Sequence, residues 1–536
     1  MLKQLAASIV SMITLLTSFD VSRAPGISGS GFYSTCGSSF IAPEGGVTVL
    51  RGMGFGNNVW EGSLADIGLH HNEDSFREMK ELGFNSVRFL LNYRWFEDDE
   101  KPFSYRHEGF DYIDRSISWA KKYGIGIVLN MHYPQGGYQS QGNGTALWTD
   151  TLNQDRLVKL WGEIARRYAD EPTIIGYGLI NEPVVPLRTT IEDSTAQCQR
   201  LMQRCADEIR TYDVNHILFV ERVAAVKDMT TGKSLWGTYS TDDLWFTIDD
   251  TNVAYETHFY EPHTFTHQTE GDDVPYPQQL YITDYESYWT GCISARQVSG
   301  GYFESELFTV AEDCNLFAPT LHSNGIGAGL AAFDDVAVTD YAPDGSGRVI
   351  WYNDFSEGCE LPQNEWSSDD TGSYSVSGGL LSITGGTGDY VLTFDPLELE
   401  EGHSYRISGH MQTSGVTTGT ADIRADLSRA KHIYHSGREY VFAQLSEAVR
   451  FGRENNVPIY LGEFGADYES FKNGLGGEKW VADVMDFCND NGISCSYHAY
   501  HEPMFGLYPE STGNYPQQRN EALAEVFRNK NRNVNL

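Results

Sequence analysis

The chain has 536 residues, enough for a large apolar core and more than one domain. Its 74 acidic and 38 basic residues give a formal net charge of −36, a field that repels nucleic acid, anionic membranes and acidic polysaccharides and suits a neutral ligand. Aromatic residues make up 13 %, with 11 Trp and 31 Tyr, a content usual where sugar rings are stacked.

Residues 1–24 carry Lys3, an apolar stretch from Leu5 to Phe19, and then small and polar residues. This pattern predicts a secretory signal and an extracellular or periplasmic protein. No other stretch approaches the roughly 18 uninterrupted apolar residues of a membrane span. Eight cysteines lack the paired CxxC spacing of a zinc site, and Cys198 and Cys205 stand too far apart in one predicted helix to bridge within it. Secretion would permit disulfides elsewhere.

Eight short apolar strands follow: VLRGMGF (49–55), NSVRFLL (85–91), GIVLNMHY (126–133), IIGYGLINE (174–182), HILFVER (216–222), NVAYETHFY (252–260), PIYLGEFG (458–465) and ISCSYHAY (493–500). Amphipathic helices such as SFREMKELG and YIDRSISWAKKYG separate most of them. Strands alternating with helices predict a parallel sheet covered on its outer face, and eight such units predict an α/β fold, a (β/α)8 barrel. One interval is long: 206 positions separate Asn252 from Pro458. It is rich in Gly and Ser and in short alternating strands (GYFESELFTV, GGLLSIT, HSYRISGHM), the pattern of a β-sandwich. The predicted order is therefore barrel over 30–274, inserted sandwich over 275–428, and barrel again over 429–536.

Barrel chemistry sits at the C-terminal ends of strands. Those ends carry Arg88, His132, Asn181-Glu182, His258 with Tyr260, and Glu463. Two carboxyl groups sharing one rim with an arginine, two histidines and a tyrosine fit glycoside hydrolysis, and their separation decides whether the anomer is retained or inverted. Glu221 also ends a strand, but no motif surrounds it, and it reads as structural. Trp60, Tyr93, Trp95, Tyr138 and Trp148 are candidates for stacking sugar in outer subsites. The Gly-rich stretch 132–148 predicts a long loop shaping one end of the cleft.

The set SVRF, NMHY, LINEP, HFY and LGEFG resembles glycoside hydrolase family 5, the cellulase-type retaining enzymes, over residues 45–268 and 430–510. The resemblance implies Glu182 as general acid/base and Glu463 as nucleophile, with Arg88, His132, Asn181, His258 and Tyr260 binding substrate around them. It implies a pKa raised at Glu182, by burial and by Glu463, so that it can protonate the leaving oxygen. No metal or organic cofactor is needed for that reaction. The chain departs from the family at strand eight, SYHAYHEPMFGLY, where a Trp platform is usual; Tyr500 is the candidate replacement, beside His498 and His501.

Within the insert, NDFSEG…LLSITGG…YVLTF…HSYRISGHM resembles the first half of a family-4-type carbohydrate-binding module, and GIGAGLAAFDDVAVTDY its last half. Their reversed order implies circular permutation, with the old termini joined through APDGSGRV. Such modules imply a structural calcium, with Asp334, Asp335, Asp354 and Glu357 as candidate ligands. Trp289, Tyr302, Trp351 and Trp366 are candidates for stacking glycan. The expected partner is a neutral polysaccharide or oligosaccharide, with no nucleic acid and no membrane span, and the expected state is monomeric. The expected reaction is that of an endo-β-1,4-glucanase; β-mannanase, β-1,3-glucanase, exo-β-glucosidase and an inactive carbohydrate-binding scaffold are the alternatives.

Overall fold

Eight strands join edge to edge with parallel pairing throughout and close into a barrel: β1 Arg51–Phe55, β2 Ser86–Asn92, β3 Gly126–Tyr133, β4 Ile174–Gly178, β5 Ile217–Glu221, β6 Val253–Phe259, β7 Ile459–Phe464 and β8 Ser494–Tyr497. The computed structural model describes residues 29–56, 59–60, 62, 71–237, 241–276, 285–297, 300–310, 314–509 and 518–531, so the expected signal segment 1–24 lies outside the described residues. Among the described residues no helix is long and apolar enough to cross a membrane.

Burial on both faces explains the unbroken apolar character of the strands. All seven residues of β2 are buried. The outward positions, such as Ile127 and Leu129 of β3, pack against the helices, and the inward positions Val128, Ile175, Ile217, Phe219, Ala254 and Tyr460 form a separate interior cluster. Phe40 closes that cluster from an N-terminal hairpin (Ser34–Cys36 with Ser39–Ile41), stacking on Phe219 at 6.0 Å.

The helices start and stop where their end residues require. Asn72 caps the helix Glu73–Glu81 by accepting from the backbone of Asp74 and Ser75, and Gly124, at φ 64°, ends the helix Glu108–Tyr123. Two strands are shorter than the sequence predicts. β4 stops at Gly178, after which Leu179 and Asn181 bond singly to β5 and β3, and Glu182 turns the chain at φ 41°. β8 stops at Tyr497, and the chain bends away through His498.

Gln278–Ser436 forms a second compact unit. It holds two antiparallel sheets. One runs Tyr285–Gln297, Thr420–Ala430, Leu316–Asn324, Asp389–Thr393, Asn364–Ser367; the other runs Gly301–Glu304, Ser404–Ser414, Leu330–Tyr341, Leu380–Thr384, Ser373–Ser377. Leu321, Ile423 and Leu392 of the first sheet meet Phe333, Val338 and Ile407 of the second in one core, which makes the unit an all-β sandwich. Asp334, Asp335, Asp354 and Glu357 form no three-ligand group among the described residues. Asp335 takes the Tyr352 hydroxyl, and Asp354 accepts from the Ser356 backbone at 3.0 Å. Tyr302 and Trp366 are exposed and Trp351 packs on Phe394, while the Trp289 side chain lies outside the described residues.

Candidate active site

Side chains on alternate residues of a strand point the same way. The inward positions that are apolar at one end of the barrel become polar at the other. Beyond Val128 come Asn130 and His132, beyond Phe219 comes Glu221, and beyond Ala254 come Glu256 and His258. Arg88 is wholly buried among them. Its Nη1 donates to Glu463 Oε1 at 2.5 Å, and its Nη2 donates to Asn181 Oδ1 at 2.7 Å and pairs with Glu256 Oε1 at 2.9 Å. The second oxygen of Glu463 accepts the Tyr260 hydroxyl at 3.0 Å. His258 Nδ1 lies 2.8 Å from Glu182 Oε1, and its Nε2 lies 3.3 Å from Glu256 and 3.5 Å from Glu221.

Glu182 and Glu463, 281 positions apart in the chain, thus meet across one gap. A carboxylate oxygen of each and a nitrogen of His258 all lie within 4.8 Å of one another. His132 faces the same carboxylate, its Nδ1 3.6 Å from Glu463 Oε1. The glycine of LGEFG is required here: a Cβ on Gly462 would fall 1.7 Å from Glu256 Oε1.

The electrostatics separate the two carboxyls from their surroundings. Burial opposes ionisation of Glu463, but His258, His498 and Arg88 outweigh it and hold its pKa well below the ordinary 4.5. Burial likewise opposes the charge on His258, yet Glu221, Glu463 and bonds to Glu182 and Glu256 push it well above 6.5. Glu182 corrects the sequence-based expectation. Burial and Glu463 do act to raise it, but the hydrogen bond and charge of His258 win, and its pKa is lowered. The proton expected on Glu182 rests on His258, one hydrogen bond away. Burial pushes His132 down to about 3, so that ring is neutral.

Two expected residues lie elsewhere. Tyr500 is buried between Phe55 and Tyr508, and its hydroxyl donates to Glu78 Oε2 at 3.0 Å on the helix Glu73–Glu81. Trp148 is buried with its Nε1 donating to Gln139 Oε1 at 2.8 Å, which braces the loop after β3 instead of lining the gap. Tyr93 and Trp95 are core residues as well, whereas Trp60 stacks on His132 at 6.0 Å and Tyr138 lies tilted against it at 5.7 Å.

Glu256 and Ser140 escaped the sequence reading, and Glu221, read there as structural, has a structural role. Glu221 accepts the backbone N–H of Glu182 at 2.7 Å, fixing the left-handed residue that carries the carboxyl. Glu256 is the second partner of Arg88. Both share inward parity with Phe219 and His258, and that period-2 signal is present in the strands. Ser140, which accepts from Asn181 Nδ2 at 3.2 Å, comes from a loop and carries no such signal. Glu182, His258 and Glu463 are also spaced for a cation, as are Glu221, Glu256 and His258, and in the sandwich Asp340, Glu400 and His403. In the first two sets Arg88, Tyr260 and protonated His258 already satisfy the oxygens, and the guanidinium and imidazolium supply the positive charge a metal would bring.

Residues 48–296 match the family model of cellulases, glycosyl hydrolase family 5. That span holds Arg88, His132, Asn181, Glu182, His258 and Tyr260, and Glu463 lies beyond it. Endoglucanase C of Acetivibrio thermocellus is 35 % identical over 199 residues, which are 37 % of this chain and 52 % of the relative. A beta-xylosidase of Phanerodontia chrysosporium is 31 % identical over 225 residues, 35 % of this chain and 46 % of the relative. An endoglucanase of Paenibacillus polymyxa is 27 % identical over 288 residues, 51 % of this chain and 71 % of the relative. The chain spans about half the length of the first two of these curated relatives.

Proposed function

We propose that this protein is a secreted, retaining glycosidase of the cellulase type that cleaves β-glucosidic bonds in a neutral polysaccharide by double displacement. The observation that carries the reading is the pair of carboxylate oxygens within 4.8 Å. Retaining glycosidases hold their carboxyl groups about 5–5.5 Å apart and inverting ones about 6.5–9.5 Å. The family match and the endoglucanase relatives support the substrate class. The N-terminal sequence supports secretion.

Glu463 is the nucleophile. Arg88 and Tyr260 hold one oxygen each, so the carboxylate stays ionised and fixed in direction. As it attacks the anomeric carbon, the glycosidic oxygen leaves with a proton from Glu182. That proton passes from His258 Nδ1 to Glu182 along their 2.8 Å hydrogen bond. Asn181, anchored by Arg88, binds the sugar 2-hydroxyl, where hydrogen bonds strengthen in the transition state. Once Glu463 is esterified its charge is gone, and the ionised Glu182 takes a proton from the water that hydrolyses the ester. These steps use side chains alone.

In the sandwich, Leu330–Tyr341 and Gly347–Asn353 pair as a hairpin through APDGSG. That pairing supports a permuted carbohydrate-binding-module-like unit whose former termini meet in this turn.

The test is hydrolysis of carboxymethylcellulose, lichenan, laminarin and mannan, with products resolved by length and their first-formed anomer followed by NMR. The β-anomer is expected, and Glu463→Gln should hydrolyse nothing while still binding oligosaccharide. An α-anomer would overturn the mechanism. Wild-type protein that binds sugar and cleaves none of the four would make the chain a carbohydrate-binding scaffold.

A further inference from the structure

Immediately after β8, His498 enters the cluster across the barrel from β4, the strand that Asn181 follows. It is buried, and its ring lies parallel to that of His132 at 6.3 Å and 6°. Its Nδ1 points at Glu463 Oε2 from 3.8 Å, too far for a hydrogen bond, and makes none elsewhere among the described residues. Its Nε2 pairs with the buried Glu502 Oε2 at 3.4 Å. The turn that carries Glu502 is held by its own backbone, with Glu502 N–H donating to Tyr508 and Gly506 N–H to Glu502. Gly54 of β1 lies against His498 on the other side, where an added Cβ would stand 3.4 Å from Nδ1.

Buried polar atoms without partners are rare and destabilising. Here the imidazole Nδ1 stands unsatisfied 3.8 Å from the nucleophile's Oε2, while Glu502 faces the ring's other nitrogen. Glu463 does not need that Nδ1, since Arg88 and Tyr260 already bond to both its oxygens. A sugar hydroxyl satisfies it, accepting from the Nδ1–H while Glu502 holds the ring through Nε2.

We propose that His498 and Glu502 form a pair beside the nucleophile in which Glu502 orients the imidazole and His498 Nδ1 recognises one hydroxyl group of the sugar bound there. The proposal rests on the glycosidase reading and adds a specificity determinant to it. The pair stands near the position where the family resemblance implies an indole platform, and it exchanges ring stacking for hydrogen bonding. With Asn181 assigned to the 2-hydroxyl, the pair takes the 3-, 4- or 6-hydroxyl. The favoured substrate is thus a fully hydroxylated β-hexoside, and a deoxy sugar is rejected because it leaves the buried Nδ1 unpaired.

The experiment compares kcat/KM on 4-nitrophenyl β-cellobioside, on its derivatives deoxygenated at C3 or C6 of the aryl-linked glucose, and on 4-nitrophenyl β-glucoside with its 4-deoxy derivative. Wild type should discriminate against one deoxy substrate by about 100-fold or more. In Glu502→Ala that one ratio should fall to within about threefold of unity, while the other two ratios keep their wild-type values. Glu502→Gln retains the shape, covers the case in which the alanine variant fails to fold, and should reduce the same ratio about tenfold. His498→Phe should reduce it as well. Wild type that cleaves the parent glycosides, with all three ratios unchanged in folded variants, overturns the pair and leaves the glycosidase reading intact. Wild type that cleaves neither parent glycoside nor any polysaccharide overturns both.

Discussion

The two ends of one barrel interior make the sharpest comparison in this molecule. At the N-terminal end Phe40 covers an apolar plug that includes Val128, Phe219 and Ala254; at the C-terminal end the same strands present His132, Glu221, Glu256 and His258, beside Arg88, Glu182 and Glu463. Strand direction, parity and burial are shared, and only the chemistry of the inward residue changes. One end contributes stability through area removed from water. The other concentrates four carboxyls that burial and mutual repulsion oppose, and holds them with Arg88, His258 and His498. The barrel separates what stabilises it from what is costly to keep, and the separation can be tested.

Glu463→Gln should have the largest effect, a fall in kcat of about 10,000-fold or more, since residues acting as one catalytic unit fail together. Its Tm should fall by a few degrees at most, because Gln gives up the charge pair with Arg88 but keeps the volume and an acceptor oxygen for its donors. Arg88→Met should damage both properties. It leaves Glu256 and Glu463 buried without their shared cation, a loss of about 3–5 kcal/mol, measurable as a lower midpoint in urea, together with a collapse of kcat. Phe40→Ala should do the reverse of Glu463→Gln. Emptying a buried aromatic site removes about 3–5 kcal/mol of stability, while kcat/KM measured below the new Tm stays within twofold. A large loss of kcat in Phe40→Ala would mean that the two ends are coupled.

The pH profile sharpens the charged end alone. Lowering the pH protonates Glu463 and removes the nucleophile, and because its pKa is held below 4.5 the acid limb of kcat/KM should fall below that value. Raising the pH removes the proton shared by Glu182 and His258, and because His258 is held above 6.5 the alkaline limb should lie above that value. His258→Asn should move the alkaline limb acidward, since the proton then resides on Glu182 alone. An alkaline limb unmoved by that substitution would detach His258 from proton delivery.

The barrel was legible because eight apolar runs repeat with helices between them, a pattern that burial on both faces imposes on the sequence. The rim residues His132, Glu182, His258 and Glu463 could be read because each stands at or just beyond the end of such a run. Glu256 carried the same parity and was passed over, and Glu221 was read only as structural, since a single acidic residue in a strand resembles a solvated one until the barrel closes around it. The pKa of Glu182 could not be read at all: its sign depends on a 2.8 Å contact with His258, and distance along the chain says nothing about that. Nor could the bend after Tyr497, which turns His498 toward Glu463 and Tyr500 away.

That bend yields the smallest of the expected effects. Glu78 accepts the hydroxyls of both Tyr500 and Tyr508 and an Arg519 N–H at 2.7 Å, so Tyr500 is one of several donors to a carboxylate on the outer helix layer. Tyr500→Phe removes one of those donors and keeps the ring packed on Phe55. A single hydrogen bond of this kind is worth about 0.5–1.5 kcal/mol, so Tm should drop by a few degrees at most, with kcat/KM on cellobiosides unchanged within twofold. A sugar-binding tyrosine behaves oppositely, losing KM or kcat at constant Tm. A tenfold fall in kcat/KM without loss of stability would therefore return Tyr500 to the charged end and reverse the direction of the bend drawn here.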